Sequence, residues 1–230
     1  MGRRTSRLAG GLDGVRAVSA AIFLCDLTGN MARPWAEAGY DCWCVDVQHS
    51  IRRDRQEGRI RFVWGDVRSW CPPAGLDIAF VAAFPPCTHV SGSGARDWRR
   101  KGHGLLVDSL ELFTACEVAA SWSGAPYCIE NPVGALSSHM GQPTHWFEPW
   151  HFAQLADDPA AEAYTKKTAL WTGNGFVMPE RRPVEPTLGS KMHLMPPSED
   201  RANLRSATPT GFARAVFLAN APHLKARAAA

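Results

Sequence analysis

The chain has 230 residues, 45% of them hydrophobic and 20% charged, which excludes a disordered, collagen-like or coiled-coil protein and fits one globular domain. A chain of this length buries roughly 70–75% of its unfolded surface, so its core needs no disulfide or metal. Lys and Arg total 25 against 22 Asp and Glu, a formal charge of +3 that permits contact with phosphate without requiring it. The seven cysteines are odd in number and form no C-x-x-C pair. Neither a disulfide framework nor a zinc ribbon is expected, and a reducing, cytoplasmic setting is the default.

The opening Met1-Gly2-Arg3-Arg4-Thr5-Ser6 matches the myristoylation pattern and is loosely similar to a twin-arginine signal, but Asp13 and Arg16 interrupt the apolar region that should follow. Residues 1–19 are expected to be a basic arm. The best apolar stretch, 18–27, is broken by Asp26 and is too short to span a bilayer. Residues 20–26 read as a buried strand ending on that acid, then a turn, then a helix over 32–38 stopped by Gly39. Strands are predicted over 41–47, ending near Asp46, over 59–64, running into Gly65-Asp66, and over 76–83, running into Phe84-Pro85-Pro86-Cys87. The basic run Arg52, Arg53, Arg55, Arg59 and Arg61 reads as a solvated face.

Leu106, Leu110, Phe113, Cys116 and Ala120 recur at helical spacing, with Asp108, Glu111 and Glu117 between them, and predict the strongest helix over 104–122. Residues 125–132 form the next strand and stop on Glu130-Asn131. Alternating strand and helix imply an α/β fold with a parallel sheet covered on both faces, whose ligands bind at the carboxyl ends of the strands. Farther on, Trp146, Phe147, Trp150 and Phe152 form an aromatic patch read as packing. A strand is predicted over 168–172, extended loop over 179–201, a last helix over 211–219, and a tail over 223–230.

The sharpest chemical feature is Pro85-Pro86-Cys87, where prolines fix the backbone and hold a thiol at the sheet edge. A free thiol is only a few per cent ionised at neutral pH, so a nucleophilic role needs a site that stabilises the anion or activates the electrophile. Glu130, on another strand end, supplies a proton donor for that electrophile. His89 is the competing partner and would make a cysteine hydrolase with Cys87, but neighbouring strand residues point to opposite faces, and no ligand set completes a metal tetrahedron. Ser91-Gly92-Ser93-Gly94 reads as a mobile loop with a basic far end at Arg96, Arg99, Arg100 and Lys101.

In these residues the chain resembles the cytosine-5 DNA methyltransferase family, whose nucleophile lies in a proline-cysteine motif and whose acid lies in a glutamate-asparagine motif. The resemblance implies a Rossmann-like methyltransferase fold over residues 20–222, with S-adenosyl-L-methionine as cofactor. Asp26, Leu27, Thr28 and Gly29 are similar to the family's opening cofactor motif. Asp46 stands where its second-strand acid meets the ribose, Asp66 and Val67 where its third-strand motif meets the adenine, and Pro85 beside the methyl donor. The implied catalytic residues are Cys87, Glu130 and Asn131, the last orienting the acid or the cysteine loop. Pro86, Ser91, Arg96 and Arg99 are implied to meet the substrate, as are Lys166 and Lys167, which stand in place of a late basic motif. Residues 172–204 stand where a target-recognition region would lie and are too few for an independent domain.

The implied reaction is transfer of a methyl group to carbon 5 of cytosine in DNA, with the base flipped out of any duplex. Relaxed specificity, or specificity supplied by a protein partner, follows from the short recognition segment. RNA or free cytosine nucleotides are the alternative substrates, and a non-catalytic nucleic-acid-binding module is the alternative of another kind. No metal and no membrane are called for.

Overall fold

The computed structural model describes residues 18–92, 95–191, 195–198 and 201–222. The expected basic arm before residue 18 and the tail from 223 lie outside them, as do Ser93 and Gly94. Eight strands make one sheet: β1 (Ala20–Leu24), β2 (Asp41–Asp46), β3 (Arg55–Glu57), β4 (Ile60–Trp64), β5 (Ile78–Ala83), β6 (Tyr127–Pro132), β7 (His145–Phe147) and β8 (Thr168–Gly173). Their order is β3-β4-β2-β1-β5-β6-β8-β7. β4, β2, β1, β5 and β6 are parallel neighbours, so all five deliver the chain to one edge.

The sheet is mostly parallel, as expected, and carries antiparallel strands at both sides. β3 pairs antiparallel with β4, and β8 runs antiparallel to both β6 and β7. β3 is a short, fully exposed edge strand with no apolar alternation to announce it. β7 falls in the aromatic patch, where it was masked by a run of bulky residues.

Side chains alternate across the pleat with the period of two that strands impose. Ala21, Phe23, Cys42, Cys44, Phe80 and Ala82 join one buried cluster, while Ile22, Leu24, Val45, Val81, Ala83 and Ile129 join another. Both faces are therefore apolar, as interior parallel strands require. The first face is covered by α1 (Arg33–Glu37) and the C-terminal α5 (Thr210–Asn220). The second is covered by α2 (Ala95–Trp122) through Phe113, Cys116 and Ala120. Trp35 of α1 stacks on Phe80 at 4.6 Å. Phe212 of α5 stacks on Phe147 at 3.8 Å, which explains the aromatic patch as packing.

α2 begins at Ala95, nine residues earlier than the sequence predicts, because the helix resumes on both sides of a break at Gly102 (φ 77°, ψ 173°). Those angles are open only to glycine, and a glycine at this point reads in sequence as a helix start. A short α3 (Leu136–His139) follows β6, and α4 (Arg201–Ser206) lies just before α5, where the expected extended loop ends. The arginines after β2 do form a solvated face: Arg55 lies over the Phe62 ring, Arg61 over Trp43, and Arg59 pairs with Asp41. Among the described residues no helix is long and apolar enough to cross a membrane, and no group of His, Cys, Asp or Glu could hold a metal ion.

Candidate functional site

The edge where the five parallel strands end collects Asp26, Asp46, Asp66, Cys87 and Glu130. At the end of β1 the chain turns through Cys25, whose φ of 55° is rare for a non-glycine residue. Asp26 is buried, and its Oδ1 accepts the amides of Thr28 and Gly29 at 3.0 and 2.8 Å and the Thr28 hydroxyl at 3.2 Å. One carboxylate thus sets the shape of the 26–29 loop, as Asp does in tight turns. Burial pushes its pKa up and the two amides pull it back. Gly29 has φ 70°, and a Cβ there would lie 2.8 Å from the Phe62 ring, so the position admits no side chain. Leu27 is half-buried beside it.

Two contacts that sequence reasoning passed over close this loop. The Asn30 amide donates to the Thr208 carbonyl at 3.0 Å, and a ring nitrogen of His49 lies 3.0 Å from the Asp26 carbonyl. No local sequence pattern marks Asn30, and His49 follows a strand-end acid, a weak signal. Asp46 is buried, and its Oδ1 accepts the Gln48 amide at 2.7 Å. Asp66 is engaged by Arg68 at 3.2 Å, and Arg68 also reaches Asp108 of α2 at 2.7 Å. Val67 is buried in the α2-side cluster.

Cys87 follows β5 with Pro85 buried, Pro86 exposed and the thiol half-buried. The Asn131 side-chain amide donates to the Pro85 carbonyl at 2.8 Å. This fixes the cysteine loop to β6. Val90 and Ser91 amides return to the Cys87 carbonyl at 3.1 and 2.9 Å. The loop then pairs with the chain after β6: Ser91 bridges Gly134, Gly92 donates to Val133 at 2.8 Å, and Ala135 donates to Val90 at 2.7 Å. The Lys101 ammonium donates to the Thr88 carbonyl at 2.8 Å. Ser91 is 7% exposed, so the expected mobile loop is pinned at its first two residues. A Cβ on Gly134 would meet the Val90 carbonyl oxygen at 1.9 Å, which is why a glycine closes this contact.

Glu130 is 7% exposed, its Oε1 lies 3.7 Å from the Lys166 ammonium, and its Oε2 is buried with no hydrogen-bond partner. Asn131 Oδ1 is likewise buried and unpartnered. A buried carboxylate oxygen left open at a sheet edge is costly unless a ligand completes it. Burial pushes the Glu130 pKa up, and Lys166 opposes the shift. Burial also raises the Cys87 pKa; Lys166 lowers it, Glu130 raises it, and Arg205 of α4 lowers it. The resting thiol is therefore protonated beside an acid that holds its own proton above the ordinary range.

Lys167 places its ammonium 4.8 Å from the Trp146 ring centre. Arg96 and Arg99 are exposed on the first segment of α2. His89 Nδ1 is buried without a hydrogen-bond partner, so no bond through that atom joins it to Cys87. Compared with known proteins, the chain matches no family model and no curated sequence.

Proposed function

We propose that the protein is a cytosine-5 DNA methyltransferase with a Rossmann-like fold that uses S-adenosyl-L-methionine as methyl donor. The observation that carries this reading is the placement of Cys87 and Glu130 on adjacent strand ends, joined through the Asn131 to Pro85 hydrogen bond. The family resemblance of these motifs supplies the identity of the reaction. The mostly parallel sheet and the row of acids along its carboxyl edge support the cofactor assignment.

The residues at that edge fit the cofactor. A hydroxyl-rich, positively charged nucleoside needs acceptors, and Asp46 and Asp66 stand at the ends of neighbouring strands β2 and β4. The 26–29 loop, shaped by the Asp26 carboxylate, and Pro85 would flank the amino-acid end. When bound, S-adenosyl-L-methionine supplies the electrophilic methyl group.

This chain's own residues prepare the cytosine. The Cys87 thiol passes its proton to solvent water and its Sγ bonds to C6 of the ring, as the C5–C6 double bond opens and its electron pair shifts toward C5 and N3. Glu130, whose pKa burial raises, donates a proton to N3, so charge developing in the ring is neutralised as the carbon–sulfur bond forms. Lys166 holds the resulting carboxylate by charge. Asn131 keeps Pro85 and therefore Cys87 in place. After C5 has been methylated, solvent water takes its proton, the C–H electron pair re-forms the C5–C6 double bond as Sγ leaves C6 with its own pair, and the Glu130 carboxylate takes back the N3 proton.

The reading is tested by incubating the protein with cofactor labelled in the methyl group and cytosine-containing DNA. Label is expected on carbon 5 of cytosine and is lost in Cys87→Ala. Protein that binds the cofactor and labels no cytosine in any form overturns the proposal.

A further inference from the structure

The stretch between β8 and α4, where a recognition region would lie, is strapped onto the body of the protein. Arg182 donates its amide to the His151 carbonyl at 2.8 Å and Val184 to Trp150 at 3.1 Å, while Gln154 donates to the Arg182 carbonyl at 3.1 Å. Farther along, Leu188 donates to Ala163 at 2.9 Å and Thr165 to Gly189 at 2.8 Å. Main-chain pairing of this density spends the segment on scaffolding the approach to β8 and Lys166. The cysteine loop is equally committed, held by Gly134, Val133, Ala135 and Lys101.

Taking a base out of a duplex requires protein groups to enter the stack or to hold the helix open in place of the lost pair. The described residues of the two segments placed to do so here are fastened to the protein's own backbone. Among the described residues, the cations that gather at Cys87 are Lys166 beside Glu130, Lys101 on the Thr88 carbonyl, and Arg205, close enough to act on the thiol. Such a set matches the phosphates next to one nucleotide rather than a duplex footprint. The half-buried thiol lies beside exposed Pro86, which leaves that side of Cys87 facing solvent.

We infer that the site takes cytosine from single-stranded DNA, with one unpaired base seated between Cys87 and Glu130 and its flanking phosphates on Lys166, Lys101 and Arg205. This rests on the methyltransferase reading above. The adjoining cations favour an oligonucleotide over a free nucleotide.

Two measurements test it. In the first, a DNA strand of about 20 nucleotides carrying one 5-fluorocytosine is offered as a single strand and as a duplex, alongside the matching RNA and 5-fluorodeoxycytidine monophosphate. Labelled cofactor is present throughout. Covalent adduct is expected to form on the single DNA strand at least about tenfold faster than on the duplex, a factor that unpairing and unstacking one base readily supplies. Equal or faster trapping of the duplex, the RNA or the nucleotide overturns the inference and leaves the methyltransferase reading standing. Trapping of none overturns that reading itself.

The second measurement needs no turnover. Fluorescence anisotropy of the labelled single strand and duplex is followed against salt without cofactor. Single-strand affinity is expected to fall with salt at a log–log slope of about −2, as about three neutralised phosphates give at about −0.7 each. Lys101→Gln and Arg205→Gln should each flatten it by about 0.7. A duplex preference, or a slope these variants leave unchanged, overturns the inference.

Discussion

The Asn131 side chain and the Pro85 carbonyl, 2.8 Å apart, join two strand ends far apart in sequence. The bond runs from the residue after Glu130 to a proline shortly before Cys87, so one amide adds to the β5–β6 pairing in fixing the spacing of these two side chains. Asn131→Ala leaves the buried Pro85 carbonyl unpaired and is expected to cost about 1–3 kcal/mol of stability. Trapping by 5-fluorocytosine DNA should fall more than the melting temperature explains, which is checked by comparing adduct rate with melting under the same conditions. A variant that melts lower but traps at the parent's rate would show the bond to be scaffolding alone.

Burial holds the Glu130 carboxyl above its ordinary range. The folded chain then binds this proton more readily than the unfolded chain, so stability falls as pH rises through the ordinary carboxylate value and the loss is complete above the raised one. Glu130→Gln removes that loss. The difference in melting temperature between parent and variant, followed from about pH 4 to about pH 8 around the ordinary value, should grow in the variant's favour as pH rises. A constant difference counts against a raised Glu130.

The Cys87 thiol is raised by burial and by Glu130 and lowered by Lys166. Its alkylation by iodoacetamide, followed by peptide mass mapping, should therefore quicken with rising pH. At a fixed pH below the thiol's own value, Lys166→Gln is expected to slow it and Glu130→Gln to quicken it. Opposite signs in the two variants are the expected pattern, and matching signs would sink this account of the site.

Gly134 faces the Val90 carbonyl so closely that an added Cβ would sit 1.9 Å from its oxygen. Because backbone blocks backbone, no rotamer relieves the clash, and Gly134→Ala must displace the cysteine loop. A loss of about 1–3 kcal/mol, as overpacking costs, is expected in chemical denaturation, together with loss of trapping. Unchanged trapping would mean that the loop need not be pinned.

Phe212 is fully buried and stacks on Phe147 at 3.8 Å. Phe212→Ala should cost about 3–5 kcal/mol, read from urea unfolding. A loss under about 1 kcal/mol would mean that α5 is docked by its other contacts.

Much of this architecture was legible in the sequence because buried strands that end on acids carry their own punctuation. Ala20–Leu24, Asp41–Asp46 and Ile78–Ala83 each pair an apolar run with a polar stop, and Gly39, with φ 98°, ends α1 where expected. The strand ends then placed Cys87 and Glu130 on one edge. What escaped was set by tertiary contacts. Exposed β3 has no hydrophobic pattern, and the segment Arg55–Glu57 is a strand only because β4 pairs with it. The first segment of α2 was hidden by Gly102, which interrupts the helix without ending it. The pinning of Ser91 depends on Gly134, and no local pattern announces a bridge across such a distance.

β8 enters the sheet at the edge where β6 leaves it, with Glu130 opposite Leu170 and Pro132 opposite Thr168. The 3.7 Å between acid and ammonium is therefore a matter of strand alignment, with Lys166 two residues upstream of β8 acting as the pointer of a gauge. Sliding β8 by one residue would reverse the side each residue faces. It would retune proton affinity at Glu130 and Cys87 together without altering a single charged group.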